Sequence, residues 1–96
     1  MEDDILQKIL DFLKTIPEPK LEYSKDQLAF NACARETVLE IIERILDCPF
    51  NATEDILWRF ILEMSHYSSI AQTGKAKDLF NTMCEIGVDL YYLIRG

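Results

Sequence analysis

Apolar residues recur every three to four positions along most of this chain, which is the period of an amphipathic helix. In residues 3–16 the apolar side chains fall on one side, and glutamine, lysine and aspartate fall on the other. The same spacing predicts further helices over 25–47, 52–72 and 75–94. No segment alternates apolar and polar residues with the two-residue period of a strand. The pattern therefore predicts an all-α fold.

Residues that start or stop a helix separate the first three segments. The Pro17-Glu18-Pro19 run removes backbone donors, so the first helix ends there. Ser24 and Gln27 have the spacing of a capping box, which predicts the start of the second helix. Cys48-Pro49 ends that helix, because the ring of Pro49 cannot continue the hydrogen-bond ladder.

The third and fourth helices carry signals of their own. Asn51 or Thr53 can cap the third helix, and Gly74 is expected at its exit because glycine tolerates positive φ. Gly87 lies on the apolar face of the fourth helix, where the missing Cβ lets another backbone approach closely. The expected buried faces are Ile56, Leu57, Phe60, Ile61, Met64, Tyr67 and Ala71 on the third helix, and Leu79, Phe80, Met83, Ile86, Leu90, Tyr91, Leu93 and Ile94 on the fourth.

Four helices joined by short loops can cover one another's apolar faces. A chain of 11.2 kDa buries about 65% of its unfolded surface, which suits one modest core. We therefore expect a single helical domain over residues 1–96, either a four-helix antiparallel bundle or a compact helical array. The apolar arc of the second helix spans roughly 200°, wider than a surface helix needs, so this helix should touch neighbours on two sides. An intertwined dimer is the alternative architecture.

The charge balance narrows the choice of partners. The chain has 17 acidic and 10 basic residues, for a formal net charge of −7. Binding to a phosphate backbone needs concentrated positive charge, so direct nucleic-acid binding is not expected. No apolar run is long enough to span a bilayer, and the acidic residues 2–4 have the wrong sign for a secretory signal. We expect a cytoplasmic protein that does not bind membranes and needs no cofactor.

Three cysteines, Cys33, Cys48 and Cys84, are widely spaced and lack the spacing of a zinc site. We interpret them as reduced thiols. Cys33 and Cys84 lie at positions where a small apolar side chain would pack.

Two polar residues interrupt the apolar arc of the second helix. Projected at 100° per residue, Asn31 and Arg35 fall among the apolar positions. A charge in such a place needs a partner, so we expect Arg35 to pair with Glu63, Glu85 or Asp89, within the chain or across a subunit interface. The alternatives are contact with an anionic ligand in a bundle cavity, or extension of the guanidinium into solvent.

A second set of apolar residues lies away from the main faces. Trp58 and Leu62 stand four residues apart on the third helix, and Val88 and Tyr92 form a similar pair on the fourth. Exposed aromatic residues carry much of the binding energy of protein interfaces, so these four residues are our candidate partner-binding positions. The alternative is that they pack under the first helix or the proline-containing loop.

Two pairs of side chains have the three-residue spacing that places metal ligands on one face of a helix. Glu63 and His66 form an E-x-x-H pair, the helical spacing of ferritin-like di-metal bundles, which use two such pairs and two further glutamates. Here the single pair shares a polar face with Arg59, so a solvated cluster is the preferred interpretation.

Glu40 and Glu43 form an E-x-x-E pair that resembles the first half of the magnesium-binding motif of all-α nucleotide pyrophosphatases of the MazG type. The second half of that motif, E-x-x-D, is missing from the chain. The resemblance implies a carboxylate-metal enzyme that would use Glu40, Glu43, Glu63 and Glu85.

These observations favour a small, non-catalytic interaction protein that presents helix surfaces to a protein partner and associates with itself as a homodimer. One alternative is the carboxylate-metal enzyme. The other is an acidic decoy that blocks the basic nucleic-acid groove of a partner by imitating phosphates.

Overall fold

A computed structural model describes residues 2–17, 20, 22–48 and 52–95. These residues form four helices, α1 (Glu2–Thr15), α2 (Lys25–Asp47), α3 (Thr53–Ile70) and α4 (Gly74–Arg95). Each end lies within two residues of its predicted position, and the described residues contain no strand. The prediction of an all-α helical bundle in a single domain is confirmed.

The helix starts follow the predicted signals only in part. Ser24 Oγ accepts a hydrogen bond of 3.1 Å from the backbone N–H of Gln27, which confirms the predicted N-cap of α2. The cap of α3 is Ala52, without a side-chain hydrogen bond. The prediction that Thr53 caps α3 is wrong, because Thr53 is its first helical residue, and the alternative cap Asn51 lies outside the described residues.

The turn between α3 and α4 also differs from the prediction. Gly74 does not end α3 but is the first residue of α4. Thr73 caps α4, because its Oγ1 accepts a hydrogen bond of 3.1 Å from the backbone N–H of Ala76. The end of α3 needs no glycine, since the N–H of Ala71 bonds back to the carbonyl of Ser68.

Helices α3 and α4 form an antiparallel pair at the centre of the fold. Glu54 near the start of α3 meets Arg95 at the end of α4, and Tyr67 near the end of α3 packs on Phe80. Gly87 allows the close approach, because a Cβ there would lie 3.0 Å from Ile61 Cγ1. The atoms that a Cβ would meet belong to the side chains of Ile61 and Phe60, whereas the prediction was the close approach of another backbone.

The core lies where α1 and α2 pack on this pair. Helix α4 contacts each of the other three helices, whereas α1 lies mainly on α2 and α4. The buried apolar side chains are Ile9, Ile16, Ala34, Val38, Ile41, Ile56, Leu57, Phe60, Ile61, Met64, Ile86 and Leu90. Tyr67, Leu79 and Leu93 were predicted in the core but are exposed, because the neighbouring helices do not cover the whole length and width of the predicted faces. No helix of the described chain is long and apolar enough to cross a bilayer.

Candidate interaction surfaces

Three aromatic rings lie in a row where α3 and α4 meet. The ring centroids of Trp58 and Tyr91 are 5.7 Å apart, and those of Tyr91 and Tyr92 are 6.0 Å apart. Leu62 lies one turn beyond Trp58 and Val88 one turn before Tyr92, and together we call these five residues the aromatic patch. The two pairs predicted from the sequence therefore belong to neighbouring helices that Tyr91 connects.

The aromatic patch is open to solvent. Trp58 is 50% exposed, Leu62 53% and Tyr92 68%, whereas Val88 is half-buried. The alternative prediction placed these residues under α1 or the loop that follows it. The exposure of Trp58, Leu62 and Tyr92 shows that the described part of the chain does not cover them.

Polar contacts hold Tyr91, the central ring of the aromatic patch. Its hydroxyl donates a hydrogen bond of 3.1 Å to Glu54 Oε1 and accepts one of 3.1 Å from Arg95 Nη1. The guanidinium of Arg95 also lies 5.4 Å from the centre of the Tyr91 ring. These contacts restrict the rotamers of Tyr91, so the patch loses less side-chain entropy when it is covered.

A groove runs along the outer side of α2, and we call it the α2 groove. Its volume is about 450 Å³, and its walls are mostly apolar. The lining residues are Pro17, Leu28, Asn31, Ala32, Arg35, Glu36 and Leu39. The wide apolar arc of α2 is thereby explained in part, because one side of the arc enters the core and the adjacent side borders this groove.

Asn31 and Arg35, the two polar residues predicted inside the apolar arc, both line the α2 groove. Asn31 is 93% buried, and its Nδ2 has no hydrogen-bond partner among the described residues. Arg35 is half-buried. A buried donor without an acceptor costs about 1–3 kcal/mol of stability. The Nδ2 donor of Asn31 carries this cost among the described residues of a single chain.

The carboxylate expected for Arg35 is not found in the described parts of the chain. Glu63, the first candidate, accepts hydrogen bonds of 3.1 and 3.3 Å from Arg44 instead. Glu85 and Asp89, the other candidates, are exposed on α4 and form no ion pair with Arg35 there. Among the described residues, Arg35 therefore has no carboxylate partner.

Arg44 links α2 to α3 through polar contacts that the sequence pattern does not predict. It binds Glu63 of α3 and also Glu40 at 3.1 Å on its own helix, and it lies 5.1 Å from the centre of the Phe60 ring. The hydrogen bond to Glu63 raises the pKa of Arg44, because it favours the charged form. The Glu40–Arg44 spacing of four was visible in the sequence, but the reach to Glu63 depends on how α2 and α3 pack.

Arg44 engages two of the residues that the sequence offers as metal ligands. Glu40 and Glu63 both face the guanidinium of Arg44, while Glu43 and His66 are exposed. The described residues contain no cluster of three or more histidine, cysteine, aspartate or glutamate side chains arranged to hold a metal ion. Glu63, which the sequence places on one polar face with Arg59 and His66, pairs with Arg44 of α2.

The three cysteines are free thiols in two environments. Cys33 and Cys84 are half-buried, and burial raises the pKa of each thiol by disfavouring the thiolate. Cys48 follows the end of α2 and is exposed. Protonated, partly buried thiols behave as small apolar groups, as predicted for Cys33 and Cys84.

Comparison of the chain with protein-family models, curated proteins and solved structures gives no match. Two surfaces of the molecule are therefore the candidates for its function, the aromatic patch on α3 and α4 and the groove on α2.

Proposed function

We propose that this protein is a non-catalytic interaction module that associates with itself and presents the aromatic patch to a protein partner. In this proposal, the protein acts by presenting helix surfaces to other proteins and does not catalyse a reaction. The main support is the amount and character of the surface that the single chain leaves open.

The open surface is large for the mass of the chain. A monomeric protein of 11.2 kDa has a surface of about 5,700 Å², whereas this chain exposes 6737 Å². The difference of roughly 1,000 Å² is comparable to the ~800 Å² that each partner buries in a standard interface. The radius of gyration, 13.8 Å, also exceeds the ~12.5 Å usual for this length. Both differences favour a chain that is completed by another molecule.

The composition of the open surface also favours binding to another molecule. Large apolar side chains are exposed on three of the four helices: Phe30, Leu39, Leu46, Trp58, Leu62, Tyr67, Ile70, Leu79, Tyr92 and Leu93. Tryptophan and tyrosine are the residues most enriched at binding hot spots. The aromatic patch combines both residue types with a restrained central ring, so it suits a protein partner with an apolar anchor.

Light scattering coupled to size-exclusion chromatography tests self-association directly. We expect a mass of twice 11.2 kDa at micromolar concentration, shifting toward the monomer on dilution. A monomer at every concentration would refute the self-association part of the proposal.

The aromatic patch has its own reporter, because Trp58 is the only tryptophan in the chain. We expect acrylamide to quench its fluorescence equally well in the dimer and in the diluted monomer, since the patch remains available for a partner. Shielding of Trp58 that follows dimer formation would show that the patch is the dimer interface.

Tyr92→Ala and Glu85→Ala are a matched pair on exposed positions of α4, and only the first should weaken binding of a partner.

A further inference from the structure

The outer side of α2 carries a regular series of positions. Starting at residue 28, steps of four and three residues alternate, and the series is Leu28, Ala32, Arg35, Leu39, Ile42 and Leu46. This is the spacing of the a and d positions of a coiled-coil seam. All six side chains are exposed or half-buried, whereas Ala34, Val38 and Ile41 of the same helix are buried in the core. Ile42 also packs partly against that core, so it borders both surfaces. We call these six positions the α2 seam.

The α2 groove has the shape that a partner helix requires. In coiled-coil packing, one side chain enters a hole formed by residues i, i+3, i+4 and i+7 of the facing helix. The groove is lined by two such sets, 28, 31, 32, 35 and 32, 35, 36, 39. The α2 wall of the groove therefore forms two consecutive holes, which Pro17 of the segment after α1 borders, and a helix with the same spacing fits them.

Arg35 determines which orientation such a helix can take. In a parallel pair of α2 helices, symmetry would place Arg35 opposite its own copy in an apolar seam, and like charges there are costly. In an antiparallel pair centred near residue 37, Arg35 lies opposite the partner's Leu39. The partner's Glu36 is then within one helical turn of it, and Arg35 gains the carboxylate that the described part of its own chain does not provide.

We propose that two copies of this chain dimerise by antiparallel packing of the α2 seams, with Arg35 of each copy paired to the partner's Glu36. This inference rests on the proposed self-association and names the surface that performs it. The partner's Leu46 packs near Leu28, and its Ile42 packs near Ala32. The aromatic patch lies on α3 and α4 and stays open for a different protein.

The seam itself is tested with exposed leucines, whose substitution should not disturb the fold of the monomer. Leu39 is 48% exposed on α2, and Leu62 is 53% exposed on α3. We expect Leu39→Asp to give a monomer by light scattering with unchanged helical circular dichroism, and Leu62→Asp to remain a dimer. A Leu39→Asp dimer, or a Leu62→Asp monomer, would overturn the assignment to α2. A wild-type monomer would instead contradict the underlying self-association.

Charge exchange tests the pairing of Arg35. We expect Arg35→Glu to weaken dimerisation by about 100-fold, because the new carboxylate faces the partner's Glu36. The double variant Arg35→Glu/Glu36→Arg restores the opposite charges across the interface and should recover most of the affinity. If the double variant is as weak as the single one, the proposed pairing is wrong.

Engineered cysteines test the orientation. Residues 28 and 46 are about 27 Å apart along one helix, so a disulfide between them can form only between copies. In a Cys48→Ser background, we expect Leu28→Cys/Leu46→Cys to form a covalent dimer on mild oxidation, and Leu46→Cys alone to stay monomeric on a non-reducing gel. Efficient cross-linking of Leu46→Cys alone would show a parallel pair and overturn the antiparallel arrangement.

Discussion

At the scale of single residues, Gly87 decides how closely α3 and α4 pack. The position where its Cβ would stand is 3.0 Å from Ile61 Cγ1 and 3.1 Å from Phe60 Cδ1. Phe60 and Ile61 are both buried, so neither can move away without disturbing the core. The absent side chain is therefore a packing requirement of this helix pair.

We expect Gly87→Ala to lower the free energy of unfolding by about 1 kcal/mol. Overpacking in a core costs about 1–3 kcal/mol, and alanine returns up to about 1 kcal/mol through its better helix propensity. Denaturant unfolding followed by circular dichroism measures the change. Gly74→Ala is the matched control, because nothing lies within 4 Å of the corresponding Cβ, and this variant should be neutral or slightly stabilised.

The half-buried thiols make stability depend on alkaline pH. Burial raises the pKa of Cys33 and of Cys84, so the folded chain holds these protons where the unfolded chain releases them. Below the ordinary thiol pKa both states are protonated and the effect is absent. As pH rises through the ordinary thiol pKa and above it, unfolding releases protons and stability is lost.

We expect thermal unfolding under reducing conditions to show this loss, and Cys33→Ala/Cys84→Ala to make the decrease of Tm with pH shallower. Cys48→Ala controls for the removal of an exposed thiol and should leave the slope unchanged. The same slope in the double variant would mean that other groups cause the alkaline loss.

The sequence predicts whether a side chain is buried only where its position on the helix face decides its burial. Periodicity placed Leu57, Phe60 and Leu90 in the core correctly, because they lie at the middle of their apolar faces. Leu93 lies at the edge of the α4 face, where exposure depends on which neighbouring helix covers that edge. Leu79 projects between the buried Ile86 and Leu90 but lies two turns nearer the start of α4, so its exposure depends on how far along α4 the neighbouring helices extend. A projection of one helix contains no information about its neighbours.

At the scale of helices, Arg44 fastens α2 to α3. It makes two hydrogen bonds to Glu63, one to Glu40 and a cation–π contact with Phe60. Exposed ion pairs contribute little, but a two-point contact between arginine and a carboxylate is the favourable case.

We expect Arg44→Met to lower the free energy of unfolding by about 1–2 kcal/mol, since it removes both the ion pairs and the cation–π contact. Arg59→Met removes an exposed arginine of α3 that forms no ion pair among the described residues, and it should change stability by less than about 0.5 kcal/mol. Equal losses in the two variants, measured by urea unfolding, would contradict the role of Arg44.

The extent of the helices was easier to predict than their ends and contacts. The Ser24 cap was found because its signal lies within four residues. The Thr73 cap was missed because Gly74 was assigned to the exit of α3, although Thr73 is also a favourable cap type. The α2 seam was visible as an overly wide apolar arc, but the arc alone does not say which part enters the core.

At the scale of the whole molecule, the negative charge opposes the proposed dimer. Each chain carries a formal charge of −7, so two copies repel over the Debye length of about 10 Å at 0.1 M salt. The α2 seam itself is mostly apolar, and its attraction does not depend on salt in this way.

We therefore expect dimerisation to become several-fold tighter between low salt and about 0.5 M sodium chloride, as measured by sedimentation equilibrium. An interface held mainly by the Arg35–Glu36 pairs would weaken instead. An acidic decoy would likewise lose affinity for its basic partner as salt rises, so the same titration separates it from an interaction through apolar residues.

Local stability should differ between the helices, because they share the core unequally. Helices α3 and α4 contact each other most extensively, whereas α1 packs on α2 and α4 through the buried Ile9 and the half-buried Ile5, Phe12 and Leu13. Segments with few buried contacts open without global unfolding. We expect hydrogen exchange to label α1 first and α3 and α4 last, with Gly87→Ala accelerating exchange in α3 and α4 more than in α1. Simultaneous exchange of all four helices would show instead that α1 opens only with the whole domain.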